Sequence, residues 1–319
     1  MRNWFLFLCL LLSGKSLLAQ TDSNYIESNY GKVVPKIIST YKTQNITFTT
    51  RLTDSTLLKA NFGTGSLFQL GGAISYKWIN AGYSFSLNPD HSRRNMDFRF
   101  SSGYRPFQIQ FNLSYLRNLD YTLSFAQTGK LSDTIITNRE NEISIITSKL
   151  KVDYVFNYRK YSYSAGFTPV SRQLKSAGSF IVSGAFSNDR FSLDHLSEST
   201  KPAFDSINGF TNLMVNGFDL GGGYGYNWVI NKHWIISAIE IPQLGFNFMR
   251  TVPEKYFFTA GFVNHFKAGF IYTNKRFFTG LSAYSLVTGS RVKTSTYNNA
   301  YNSVLVYCGW ILDWKKSWL

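Results

Sequence analysis

From Leu67 to Leu87 the chain changes character at almost every residue, and this alternation limits the possible folds more than any other feature. Phe68, Leu70, Gly72, Ile74, Tyr76 and Trp78 are apolar or small, and the residues between them, Leu67, Gln69, Gly71, Ala73, Ser75 and Lys77, are mostly polar or small. After a tight connection at Trp78-Ile79-Asn80, the residues Ile79, Ala81, Tyr83, Phe85 and Leu87 carry the greasy face against Asn80, Gly82, Ser84 and Ser86. A period of two sustained this long is extended strand. In a soluble sandwich the apolar face would be aliphatic core. Here it is aromatic towards its ends and the opposite face is glycine and serine, which is the pattern of a barrel strand with lipid outside and a lumen inside.

Composition supports the same choice. Aromatic residues make up 17% of the 319 residues and charged residues 16%, against about 25% charged in an ordinary soluble domain. Residues 1–20 read as a cleaved signal peptide: Arg2 is the positive end, Trp4 to Leu12 the apolar core, and Leu17-Leu18-Ala19-Gln20 the cleavage region. Beyond it no apolar run approaches the roughly 18 to 20 residues of a spanning helix, so a membrane role must come from strands. Cys9 lies in the signal, which leaves Cys308 alone, without partners for a disulfide, a metal or thiol chemistry. No cofactor is expected. The formal charge of +15 falls to +13 once Arg2 and Lys15 are removed with the signal. With no clustered basic run and no nucleic-acid module, the expected anionic neighbours are lipopolysaccharide phosphates or solutes in a lumen, not nucleic acid.

The remaining chain repeats the theme. Residues 21–35 read as a periplasmic lead-in, and 36–319 as the barrel. An extended stretch from 36 to 52 precedes a loop at 54–65. Met96, Phe98, Phe100 and Tyr104 alternate with polar residues, Arg105-Pro106 makes a tight connection, and Phe107, Ile109, Phe111, Leu113 and Tyr115 alternate with Gln108, Gln110, Asn112 and Ser114. A lipid-facing Lys or Arg at the midplane costs about 2–4 kcal/mol, so the apolar set faces lipid and the polar set lines the interior. Residues 117–142 read as a long polar segment. Strands follow at 146–156, at Tyr161, Tyr163, Ala165 and Phe167, and at Phe180, Val182 and Phe186; Ser187-Asn188-Asp189-Arg190 reads as a turn before a short strand at Phe191 and Leu193. Further strands are expected at 218–228, 234–241, 262–272, 277–287 and 304–314. In the 234–241 strand Ile235, Ile239 and Ile241 are assigned to lipid, so that Glu240 turns inward, with a bulge at Pro242. Short and longer connections alternate, as periplasmic turns and extracellular loops do. The expectation is an all-β, transmembrane, antiparallel up-and-down barrel of about 14 strands, or 12 if the weakest are not real, in the outer membrane. Outer-membrane lipid, lipopolysaccharide and the outer-membrane assembly machinery are its expected partners.

Arg172-Gln173-Leu174-Lys175-Ser176-Ala177-Gly178-Ser179-Phe180, preceded by Tyr161-Ser162-Tyr163-Ser164-Ala165, resembles the signature of a family known as domain of unknown function 4421. Tyr25-Ile26-Glu27-Ser28, Tyr76-Lys77-Trp78, Ser86-Leu87-Asn88-Pro89 and Gly223-Tyr224-Gly225-Tyr226-Asn227-Trp228 fit it too. The resemblance implies an exported barrel of a Gram-negative outer membrane, and it supplies no catalytic residues.

Chemistry has few candidates. Of the four histidines, His91 in Asp90-His91-Ser92 reads as part of a turn, because adjacent residues cannot face one another as a triad does. His265 shares its inward face with Lys267 and is the one candidate base, against a structural reading as a lumenal histidine. The spacing of the histidines supports no metal site. Lys77, Arg99, Lys149, Lys151 and Lys267 are expected to line the lumen. Arg172 and Lys175 are either an anion contact at the barrel mouth or part of a loop whose small residues let a strand start close to its neighbour. Gly221-Gly222-Gly223 reads as lumen glycine, since no helix follows to make a phosphate loop. Three functions stay open: a passive channel or transport component, a structural barrel whose cations pair with Asp97, Asp153 and Asp219, and a lipid-modifying hydrolase using a lumenal or rim histidine.

Overall fold

The computed structural model describes residues 21–51, 56–87, 94–117, 119–127, 130–138, 143–192, 212–251, 255–274, 276–292 and 295–313. The expected signal peptide, His91, His195 and Trp314 lie outside them. In chain order the strands are β1 (Ile26–Ser28), β2 (Val33–Arg51), β3 (Thr56–Gly63), β4 (Leu67–Tyr76), β5 (Ile79–Ser86), β6 (Asn95–Tyr104), β7 (Phe107–Arg117), β8 (Asp120–Gln127) and β9 (Lys130–Asn138). Then follow β10 (Ser144–Val155), β11 (Ser171–Gln173), β12 (Ala177–Ser192), β13 (Asn212–Val229), β14 (Trp234–Thr251), β15 (Lys255–Thr273), β16 (Phe277–Val292) and β17 (Ser295–Trp310).

Neighbouring strands run β17, β16, β15, β14, β13, β12, β10, β7, β6, β5, β4 and β2, and β2 returns to β17 through pairs from Lys36↔Gly309 to Thr49↔Thr296. The result is a closed antiparallel barrel of 12 strands. Closure satisfies every wall strand on both edges, which is what hydrocarbon demands of a sheet. Beyond Lys42 the chain of β2 changes partner: β4 pairs with it up to that point, and β3 takes over from Asn45. There β3, β8 and β9 form a branch that stands on the barrel wall. The loop expected at 54–65 and the polar segment at 117–142 therefore contain these strands.

The outward face is the expected one. Phe68, Ile74, Tyr83, Phe98, Phe107, Leu150, Phe186, Leu220, Phe262, Val306 and their same-face neighbours are exposed, while Gln69, Ser75, Ser84, Asn95 and Asp97 are buried inside. Trp234 stacks on Phe270 at 4.7 Å between ring centroids and meets Tyr272, and Trp228 meets Tyr226, near the short-turn end of the barrel. Such rings form the aromatic girdle of a membrane barrel.

Four expectations change. The Tyr161 to Phe167 alternation is no strand: Tyr161 N donates to Asn157 O and Phe167 N to Ser164 O in successive turns, and Tyr161, Tyr163, Ala165 and Phe167 are all buried inside the barrel. Ser187 to Arg190 is no turn, because β12 pairs without interruption from Ala177 to Ser192. These two corrections reduce 14 strands to 12. In β14 the isoleucines face inward, with Ile235, Ile239 and Ile241 at 1%, 2% and 0% exposure, and Glu240 faces out beside Asn264. The reason is continuity: Leu244 and Phe248 extend the outward set that begins at Ile236, and one strand cannot reverse its faces without a bulge. No bulge intervenes, since β14 and β15 stay in register through Pro242↔Asn264.

Candidate functional site

The lumen of this barrel is filled at the end where the short turns lie. After β10 the chain turns inward and crosses the barrel as residues 157–176 before rejoining the wall as β12. Its short strand β11 pairs with β1, so the expected lead-in is a buttress for this plug. The plug side chains Tyr161, Tyr163 and Phe167 join Val155, Ala177, Ile181, Ile239 and Ile241 in one apolar cluster. Those wall isoleucines turn inward to meet it.

Gln173 fastens the plug. It is 1% exposed, and its Oε1 accepts from Ser162 N at 2.9 Å and Asn227 Nδ2 at 3.1 Å. Its Nε2 donates to Lys160 O at 2.6 Å and Lys175 O at 2.9 Å. Asn227 in turn donates to Ser162 O and accepts from Ser237 Oγ. A buried amide that satisfies this many backbone groups fixes a turn that has no ladder of its own. Glycine lets the plug approach: a Cβ on Gly225 would meet the Tyr161 hydroxyl, and one on Gly166 would meet Ser237.

Above the plug lies a belt of charge. Tyr163 OH donates to Asp153 Oδ2 at 2.7 Å, and Lys151 Nζ lies 3.1 Å from the same oxygen. Burial first, and the Asp153 carboxylate second, raise the Tyr163 hydroxyl well above the ordinary phenol range, so it remains a donor. Lys149 Nζ lies 3.4 Å from Asp219 and 3.2 Å from His265 Nε2, and His265 Nδ1 lies 3.0 Å from Tyr284 OH. Lys42 Nζ donates to both Asp97 oxygens, at 3.1 and 2.8 Å, and to Asn95 Oδ1; Ser114 also donates to Asp97. Beyond the belt, Phe48 of β2 meets Phe191 of β12 at 5.6 Å, with Phe62 and Tyr297 packed alongside. Strands β2 and β12 stand on opposite sides of the ring, so this contact spans the lumen.

Among the expected lumen residues, Arg99, Lys149, Lys151 and Lys267 do line the interior. Lys77 does not. It occupies the turn between β4 and β5 with φ 54, and its ammonium lies over the rings of Tyr30 and Tyr76. Arg172 pairs with Glu27 at 3.2 Å and Lys175 lies over Tyr25, both at the plug base. The chemistry around His265 is an ammonium and a phenol rather than a serine and a carboxylate, and His233 Nδ1 faces Thr273 O at a turn. Among the described residues no group of His, Cys, Asp and Glu could hold a metal ion. Sequence reasoning missed Lys36, Lys42 and Gln173. The two lysines fall on even positions of β2, the inward set that also holds Ile38 and Ile46, and that parity is their only signal.

A closed barrel with an apolar, aromatic-rimmed exterior and a polar, partly filled interior is the transmembrane class of β-barrel. Within that class, the chain belongs to the family described as "Domain of unknown function (DUF4421)", which matches residues 20–310. No curated protein matches it. Among solved structures it is similar to the outer membrane protease OmpT of Escherichia coli, at 8% identity over 93% of this chain and 99% of that one, with TM-score 0.39. It is also similar to OmpT, an outer membrane protein of Vibrio cholerae, at 6% identity over 92% and 100% with TM-score 0.35. A third is the translocator domain of the autotransporter NalP of Neisseria meningitidis, at 10% identity over 96% and 94% with TM-score 0.33.

Proposed function

We propose that this protein is a structural outer-membrane barrel that does not conduct solutes at rest, exported through its N-terminal signal and set among lipopolysaccharide by the outer-membrane assembly machinery. The plug at 157–176 carries this reading, because buried hydrogen bonds tie it to the wall: Asn227 of β13 donates to Ser162 O and Gln173 Oε1, and Tyr163 donates to Asp153 of β10. A passive pore needs a hydrated path lined by free polar groups. Here three cations are committed to carboxylates, Lys42 to Asp97, Lys149 to Asp219 and Lys151 to Asp153. The hydrolase alternative loses ground because His265 contacts the Lys149 ammonium and the Tyr284 phenol, and no serine, threonine or cysteine bonds to it among the described residues. Purified full-length protein refolded into planar bilayers is expected to give no steady unitary current. Sustained channel openings by the unaltered protein would return the passive-channel reading to first place.

A further inference from the structure

Beside the plug the lumen keeps a cavity of about 390 Å³, whose lining runs from Asn80 and Gly103 near the short turns to Asn247 and Thr288 farther along the barrel. That is the size of a small-ligand pocket. Five of its lining side chains are cationic, Lys36, Arg99, Lys149, Lys151 and Lys267. Lys149 and Lys151 have the carboxylates described above, and Arg99 stands 3.6 Å from an Asp97 already held by Lys42. Lys36 and Lys267 have no carboxylate in contact among the described residues. Lys36 Nζ donates to Thr168 Oγ1 of the plug at 2.9 Å, and Lys267 Nζ lies 3.7 Å from the centre of the Phe167 ring. Lys36, Lys151 and Arg99 add to the positive field at Lys267, and Asp153 offsets part of it. Buried like charges repel unless something neutralises them.

We propose that Lys36, Arg99 and Lys267 form a binding site for a phosphate-bearing solute inside the barrel, with the plug residues Thr168 and Phe167 as its floor. Three cations with free hydrogen-bonding capacity suit a phosphate group. The amides of Gln108, Gln110 and Asn112, which also line the cavity, suit hydroxyl groups on the remainder of the ligand. This site goes beyond the non-conducting reading and does not depend on it, since a ligand can bind whether or not current flows.

The test uses the detergent-folded full chain and calorimetric titration with inorganic phosphate, glucose 6-phosphate and glucose. Saturable binding of the two phosphates and none of glucose is expected, and a tighter glucose 6-phosphate complex would mark an organic phosphate as the better occupant. Lys267→Met keeps an apolar stem over Phe167 and removes the charge, so it is expected to weaken phosphate binding roughly 10- to 100-fold. The same variant should unfold at an equal or higher temperature without ligand, because it relieves repulsion; a merely structural lysine would lower it. Lys232→Met, on an exposed turn, is the control that keeps binding. Failure of the unaltered protein to bind either phosphate, equal binding of glucose, or undiminished binding by Lys267→Met overturns the proposal.

Discussion

Lys42 is 1% exposed, and its charge is tolerated only because Asp97 and Asn95 supply three acceptor contacts. Removing one partner of a buried pair strands the other, at about 3–5 kcal/mol, whereas replacing both with apolar groups of similar volume is often neutral or better. Asp97→Ala is therefore expected to lower the unfolding free energy of the folded barrel by about that amount, and Lys42→Met combined with Asp97→Leu to recover most of it. Urea unfolding in micelles, followed by tryptophan fluorescence, measures both; a double variant as damaged as the single one would mean that the pair is more than a neutralised charge. Glu240 is the opposite case, an outward carboxylate in the apolar band with Asn264 Nδ2 at 3.3 Å. Burying charge inside is the cheaper arrangement in general, and the sequence reading chose it for Glu240. At this position the apolar run on both sides of Glu240 outweighs one carboxylate.

Strands were the most legible part of the sequence, for a reason visible in β7: Phe107, Ile109 and Leu113 are exposed at the alternate positions that periodicity demands. Lipid on one side and a polar lumen on the other impose the pattern residue by residue. The plug was illegible because Tyr161, Tyr163, Ala165 and Phe167 imitate the same alternation while folding in turns inside the lumen. The far part of β12 failed for the converse reason, as Asn188 bonds Asn216 and Arg190 bonds Asn188 in a stretch too polar to look like a membrane strand. The site was half legible: inward parity located Arg99, Lys149, Lys151 and Lys267 and the carboxylates Asp97, Asp153 and Asp219 that take cations, but which cation meets which carboxylate depends on closure. For the plug itself, Gln173→Ala orphans the buried Ser162 N, at about 1–3 kcal/mol, and leaves the Lys160 and Lys175 carbonyls, on exposed residues, to water. Local opening should then become roughly 5- to 150-fold more frequent, read as faster amide exchange over 158–168 with the wall strands unchanged. Equal protection in the variant and the parent would show that apolar packing alone holds the plug.

At the scale of the whole molecule, wall and plug are separable in their bonding. Hairpin β10 and β12 is paired in register from Ser144↔Ser192 to Val155↔Ile181, and neither strand needs the plug for its ladder. The ring also closes elsewhere, between β17 and β2. Excising 158–175 and joining the ends with a short glycine-serine turn should therefore leave a barrel that still folds, with strand content by circular dichroism close to that of the parent. It should be less stable, because Ile181, Ile239 and Ile241 lose the aromatic rings they pack on, and burial of such rings is a main source of apolar stabilisation. The lumen would then gain a water-filled path past the charge belt to the Phe48–Phe191 contact, where opposite walls meet. If the plug is the seal, the excised barrel conducts in planar bilayers and its current prefers anions, since the cations facing the lumen outnumber its carboxylates. If it folds and stays silent, the seal lies at the Phe48–Phe191 contact, and Phe48→Ala in the excised background should open it.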